Sequence, residues 1–246
     1  MTFTNSRKTV TGATLVLGSM MMVPGVLQAD SLGALGNLDQ TRFEELAENL
    51  GAATHYKSVT PAEGLGIIGF DVGFSLSSSD IDSELFDDAS EGSFDASDFN
   101  LARVQVHKGL PFGLDIGASI ARGIDNDATV LGAELRYALL DGGIVSPAVG
   151  LRASYSQMEG IDDLDVNNAA LELSISKGFL VLTPYAGIGI VRTKADPAAE
   201  TGLMEESVDL EKLYVGLTIN LGLAVTLEAD QTGDINTYTA KAGIRF

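Results

Sequence analysis

The sequence predicts an all-β protein, a transmembrane up-and-down antiparallel β-barrel of about ten strands with a short N-terminal amphipathic helix. From residue 65 onward, apolar and polar side chains alternate with the period of two that a strand requires. The links between these segments alternate between tight glycine-containing turns and longer loops. The sequence ends on Phe246, within such an alternation. These features are typical of outer-membrane barrels, in which the strands close on themselves and present an apolar surface to the bilayer.

Residues 1–29 predict a cleaved secretory signal peptide. Arg7 and Lys8 precede an apolar, uncharged stretch over 9–27, and Ala29 offers a small residue before the cut. A single transmembrane anchor is the alternative. The chain contains no cysteine, which excludes a lipoprotein signal, and cleavage removes two bases and changes the net charge from −19 to −21. Such acidity argues against nucleic acid as a partner.

Residues 30–64 form a separate N-terminal segment with a predicted helix over 41–50. Asp39 or Thr41 provides the N-cap and Gly51 the C-terminal stop. The apolar residues that recur at helical spacing are Phe43, Leu46, Ala47 and Leu50. We expect this helix to plug or cap the periplasmic mouth of the barrel, and the alternative is that it rests on the inner leaflet.

Residues 65–246 form the predicted barrel. Each strand has nearly the length needed to cross the hydrocarbon layer. An even count places both ends in the periplasm, so eight or twelve strands remain alternatives, and a β-sandwich is the soluble alternative. The outward Tyr238, Ile244 and Phe246 form a barrel-closure signature similar to the one that the barrel-assembly machinery reads. The predicted strands cover 66–76, 100–108, 113–122, 129–139, 144–155, 168–177, 180–191, 209–219, 222–230 and a tenth ending at 246.

Several stretches resemble an uncharacterised family of predicted proteobacterial outer-membrane β-barrel proteins. The resemblance covers most of the chain after residue 29 and implies barrel architecture in the bacterial outer membrane, without an activity. As partners we expect outer-membrane lipid, including lipopolysaccharide, and the barrel-assembly machinery during biogenesis, with no nucleic acid and no cofactor. The stretches that carry the resemblance are 50–53, 60–63, 66–73, 107–117, 176–179 and 183–187.

The inward positions of the predicted strands carry a nearly balanced set of charges. Glu134, Arg136, Arg152 and Glu172 fall on neighbouring strands, where cross-strand pairing is expected, and Glu228 is expected to pair with Lys241. One interpretation is a salt-bridged network that fills a narrow lumen. The other is a charge-lined pathway for a small solute, with the first four residues as its constriction. The predicted lumen network consists of Asp71, Arg103, Asp115, Glu134, Arg136, Arg152, Glu172, Lys212, Glu228, Lys241 and Arg245, with Asp230 as a further inward acid.

The sequence assigns no catalytic residue, and we expect no enzyme. The alternative is a barrel that hydrolyses lipid or peptide, with His107 as general base and Asp115 across the hairpin as its orienting group. Asp80, Asp82 and Glu84 in the acidic first long loop are weak metal candidates, since their spacing matches no calcium loop.

The function expected from the sequence is a narrow or plugged channel for a small solute, which the sequence does not identify, or a structural role in the outer membrane. A surface-binding protein that uses its acidic loops is a further alternative.

Overall fold

The computed structural model describes residues 34–90, 97–143, 145–161 and 163–246, and the predicted signal peptide over 1–29 lies outside these residues. Ten antiparallel strands close into a barrel in which sequence neighbours pair and the first strand pairs with the tenth. The predicted fold class is therefore confirmed. The strands are β1 (Phe70–Asp80), β2 (Asp98–Gly109), β3 (Leu114–Gly123), β4 (Thr129–Asp141), β5 (Ala148–Glu159), β6 (Leu164–Ser176), β7 (Leu182–Pro197), β8 (Glu206–Asn220), β9 (Ala224–Thr232) and β10 (Ile235–Arg245).

The outer surface of the barrel is an apolar belt, and the inner surface is mostly polar. In β1, for example, Val72 and Phe74 are about half exposed on the outside, whereas Ser75 and Ser77 are buried inside. This arrangement is the reverse of a soluble protein, and a closed ladder leaves no unpaired backbone edge in lipid. The protein is thus an outer-membrane β-barrel. Among the described helices, none is both long and apolar enough to cross a bilayer.

The closure of the barrel joins β1 to β10. The backbone N–H of Phe246 donates to the carbonyl of Phe70 at 2.9 Å, and the two rings lie 5.1 Å apart between centroids. Val72 is opposite Ile244, and Ser78 is opposite Tyr238. The side chains of Tyr238, Ile244 and Phe246 all remain exposed on the outer surface. The terminal aromatic residue therefore covers the seam between the first and last strands.

The first strand begins later than predicted, at Phe70 instead of residue 66. Gly66 has a positive φ of 70°, and the N–H of Gly69 donates to its carbonyl, which makes a turn before the strand. The chain needs this turn to pass from the lumen into the barrel wall. Residues 66–69 continue the apolar–polar alternation of β1, so the sequence pattern did not reveal the turn.

Two α-helices are present in the described residues, α1 (Gln40–Thr54) and α2 (Ser83–Ser90). Helix α2 lies in the first long loop and was not predicted from the sequence. Asp82 accepts hydrogen bonds from the backbone N–H groups of Glu84 and Leu85 and so caps α2. Leu85, Phe86 and Ala89 are fully buried. The many acidic residues of this loop obscured the helix in the sequence, but its apolar residues share one helical face.

Helix α1 lies inside the barrel, at the end that carries the longer loops. Asp39 caps it by accepting from the N–H of Arg42 at 3.0 Å. Its apolar face, including Phe43, Leu46 and Leu50, packs in one hydrophobic cluster with strand ends from that rim. If the longer loops face outward, as outer-membrane barrels place them, this is the rim opposite to the periplasmic mouth expected from the sequence. The rim partners of the helix in this cluster are Ile81, Phe99, Leu101, Ala121, Val130, Met158, Val166 and Ala195.

Candidate functional site

The lumen is filled by the N-terminal segment together with the charged side chains of the strands. Residues 55–62 are buried along their whole length. The predicted lumen residues all point into this space and are buried, except that the side chain of Arg245 keeps 11% of its surface exposed. The lumen is the candidate functional site because it concentrates the buried charges of the described chain.

The centre of the network joins four strands. Arg152 of β5 donates to Glu172 of β6 at 2.7 Å, and Lys212 of β8 donates to the other oxygen of Glu172 at 3.0 Å. Arg152 Nε also lies 3.2 Å from an oxygen of Glu134, without the alignment of a hydrogen bond. The structure therefore brings Glu134, Arg152 and Glu172 together, as expected for neighbouring strands.

Arg136 does not join that central group. It is directly opposite Asp115 in the β3–β4 register, and its Nε and a terminal nitrogen both donate to Asp115, at 2.9 and 2.6 Å. The same guanidinium donates to the hydroxyl of Thr60 and to the carbonyl of Pro61, both at 3.0 Å. The predicted four-residue constriction is thus divided between two clusters, because register places an acid closer to Arg136 than Glu134 or Glu172 is.

The expected pairing between Glu228 and Lys241 is also wrong. Lys241 donates to Asp71 at 2.7 Å, and Glu228 accepts from the hydroxyl of Tyr185 at 2.6 Å. Gly73 makes room for the pairing of Lys241 with Asp71, because a Cβ at Gly73 would lie 2.6 Å from Cε of Lys241. The missing side chain at Gly73 lets the lysine extend along the wall to Asp71, which Arg245 contacts at 3.3 Å as well.

His107 and Asp115 do not form the dyad that the hydrolase alternative requires. His107 Nε2 lies 3.0 Å from the hydroxyl of Tyr56 and 3.3 Å from an oxygen of Glu134. Its Nδ1 faces Asp71 at 3.9 Å. Asp115 is held by Arg136 and by the backbone N–H of Leu65. The geometry therefore removes the residue pair on which the hydrolase hypothesis depended.

Lys57 is a lumen charge that the sequence reading missed. Its ammonium donates to both oxygens of Asp230, at 3.0 and 2.9 Å, and both side chains are almost fully buried. Arg103 donates to the carbonyl of Lys57 at 3.3 Å. The irregular residues around Lys57 show no periodicity, so only the presence of a base within 55–64 and an inward acid on β9 could have suggested the pair.

The end of α1 is held by polar contacts to the wall. Thr54 accepts at its carbonyl from Ser156 and at its hydroxyl from Asn168, both at 3.0 Å. Gly51 was predicted to stop the helix, yet α1 continues to Thr54. A Cβ at Gly51 would lie 2.1 Å from the hydroxyl oxygen of Thr193. The glycine therefore permits close approach of α1 to β7.

The weak metal candidates have other surroundings. Asp82 caps α2, and Asp80 faces Asp98 across the β1–β2 ladder. Within the described ranges, no three His, Cys, Asp or Glu side chains are arranged to hold a metal ion. Glu84 contributes its backbone N–H to the α2 cap.

Comparisons with solved structures find other outer-membrane proteins at low similarity. The KdgM porin is 11% identical, covers 72% of this chain and 99% of its own, and has a TM-score of 0.36. The N-terminal β-barrel domain of OprF from Pseudomonas aeruginosa is 10% identical over 72% of this chain and 97% of its own, with a TM-score of 0.34. Ail of Yersinia pestis, in complex with a heparin analogue, is 13% identical over 72% and 97%, with a TM-score of 0.30.

Searches of family models and of curated proteins give no match. The structural likenesses are too distant to carry a functional argument.

Proposed function

We propose that the protein is a plugged outer-membrane barrel, closed to solutes while residues 34–64 occupy its lumen. The observation that carries the proposal is that wall charges are directed at this segment. Lys57 neutralises Asp230, and Arg136 and Arg103 donate to carbonyls of the segment. Buried charges and buried carbonyls need such partners, so the wall and the segment are complementary.

A channel role requires the segment to move. Without it, Asp230 and Arg136 would lose the partners that the segment supplies, and both would face a water-filled path. A barrel of about this strand number is narrow, so the path would suit ions or a small solute. The buried network supports the closed state. A purely structural role in the membrane would require this state alone.

Planar-bilayer recording tests the proposal. We expect the wild-type protein to be silent. The double variant Lys57→Ala/Arg136→Ala should show openings with a preference for cations, because Asp230 and Asp115 would then lack their bases. Arg192→Ala is the matched control, since its ion pair with Asp209 is exposed on the barrel exterior. It should stay silent, and a steady ohmic current through the wild type would overturn the proposal.

The surroundings proposed for this barrel are outer-membrane lipid, including lipopolysaccharide, with the barrel-assembly machinery acting during biogenesis. The belt of outward apolar side chains and the aromatic closure at Phe246 support both partners.

A further inference from the structure

The two rims of the barrel differ in the length of their connections. One rim has short links between strands, at 110–113, 142–147, 177–181 and 221–223. The other carries the two longest connections, at 81–97 and 198–205, besides short ones at 124–128, 160–163 and 233–234. Outer-membrane barrels place short turns in the periplasm and longer loops outside the cell. The long-loop rim is thus the extracellular one.

The N-terminal end of the described chain lies at the long-loop rim. The backbone N–H of Ala34 donates to the carbonyl of Ala89 in α2. Gln40 donates to the carbonyl of Met204 at 3.0 Å, and Arg42 forms an ion pair with Asp88. Met204 and Asp88 both belong to long connections. Three separate contacts therefore fix this end of the segment at the extracellular side.

The opposite end of the same segment lies at the short-turn rim. The N–H of Ala62 donates to Ser176, the last residue of β6 before a short turn. Leu65 donates to Asp115 at the start of β3, and Lys108 at the end of β2 donates to the carbonyl of Gly69. The chain then enters β1 through the turn at Gly66. The segment thus leaves the lumen on the periplasmic side.

The contacts between these ends follow the chain through the lumen in order. Thr54 meets Ser156 and Asn168, and Lys57 meets Asp230, all in the halves of their strands next to the long-loop rim. Thr60 then meets Arg136 on β4, next to the last contacts described above. The contacts thus begin at the long-loop rim ahead of α1 and end at the short-turn rim at Ala62 and Leu65, so the segment crosses the whole barrel once.

We propose that this barrel exports its own N-terminal end, which crosses the outer membrane through the lumen and is presented at the cell surface. The chain then crosses the membrane by its ten strands and once more by the threaded segment. Because the segment is continuous with β1 at the periplasmic rim, the strands close around it during assembly. The plug is the consequence of this passage, and the displayed element is the region ahead of α1.

Single cysteines test the topology cleanly because the chain has none of its own. Gly36→Cys reports on the N-terminal end, Glu200→Cys on the long-loop rim and Leu180→Cys on the short-turn rim, and all three positions are exposed. Intact cells are treated with a membrane-impermeant maleimide. We expect Gly36→Cys and Glu200→Cys to react in intact cells, and Leu180→Cys to react only after the outer membrane is permeabilised.

Labelling of Gly36→Cys only after permeabilisation, with Glu200→Cys labelled in intact cells, would overturn the crossing. Labelling of Leu180→Cys in intact cells would overturn the orientation. Thr41→Cys, at an exposed position of α1, repeats the test if Gly36→Cys does not fold. Bilayer currents are independent of this result, so a conducting wild type would refute the plug proposal without changing the labelling pattern.

An epitope inserted between residues 30 and 34 tests the display role itself. We expect antibody to bind the epitope on intact cells while the barrel keeps its heat-modifiable migration in gels. An epitope that antibody reaches only in permeabilised cells, in a barrel that folds, would show that the N-terminal end is not exported.

Discussion

The extracellular and periplasmic halves of the lumen hold the same segment by different physical means. In the extracellular half, α1 satisfies its own backbone and buries an apolar face among residues such as Val130 and Met158. Toward the periplasmic rim, residues 55–64 are irregular and not helical, so their carbonyls need outside donors. Arg103, Arg136 and Arg245 supply them. The arginines therefore hydrogen-bond backbone carbonyls that no helix pairs. Where the backbone is helical, apolar packing alone holds the segment.

The largest expected effect comes from breaking the buried pair that Lys57 of the irregular residues 55–64 forms with Asp230. Asp230→Leu leaves Lys57 buried without its carboxylate, and Lys57→Met leaves Asp230 bonded to the hydroxyl of Thr232 but without its cation. Each single change should lower the free energy of unfolding by about 3–5 kcal/mol, because an unpaired buried charge is strongly unfavourable. Urea unfolding in detergent micelles measures the loss. Far-UV circular dichroism is the suitable signal, because the chain has no tryptophan for fluorescence.

The double variant Lys57→Met/Asp230→Leu is the matched control for this pair. It removes both charges and should recover most of the lost stability, since replacing a buried pair by apolar groups is often neutral. A double variant whose loss equals the sum of the two single losses would show that the pair does not act as a unit.

A comparable test in the extracellular half removes packing instead of charge. Leu46 is fully buried in the apolar cluster, so Leu46→Ala should cost about 2–5 kcal/mol through lost burial and a residual cavity. Combined with Asp230→Leu, the two losses should add, because distant sites without shared partners behave independently. Strong coupling in the same urea measurement would contradict the division of the lumen into two separately held halves.

Much of this architecture follows from local pattern, and the site follows only in part. Strand parity placed Glu172 and Lys241 inside because a residue's face depends only on its position in the alternation. The partners of these charges depend on register and on space from absent side chains, as with Lys241 and Gly73. Residues 55–64 have no period at all, so their path could not be predicted. The position of α1 depended on apolar rim residues such as Val166, which alternation alone does not distinguish from lumen positions.

The smallest expected effect tests how tightly the periplasmic half is packed around its histidine. A Cβ at Gly117 would lie 2.3 Å from Cδ2 of His107 and 2.7 Å from Cγ of Glu134. Gly117→Ala should therefore displace both side chains and cost about 1–3 kcal/mol, the usual range for overpacking. Gly178→Ala is the matched control, because its Cβ would meet no atom closer than 3.6 Å. Equal urea midpoints for Gly117→Ala and the wild type would mean that His107 and Glu134 have room to move, and that the network around Tyr56 does not need its present geometry to hold the segment.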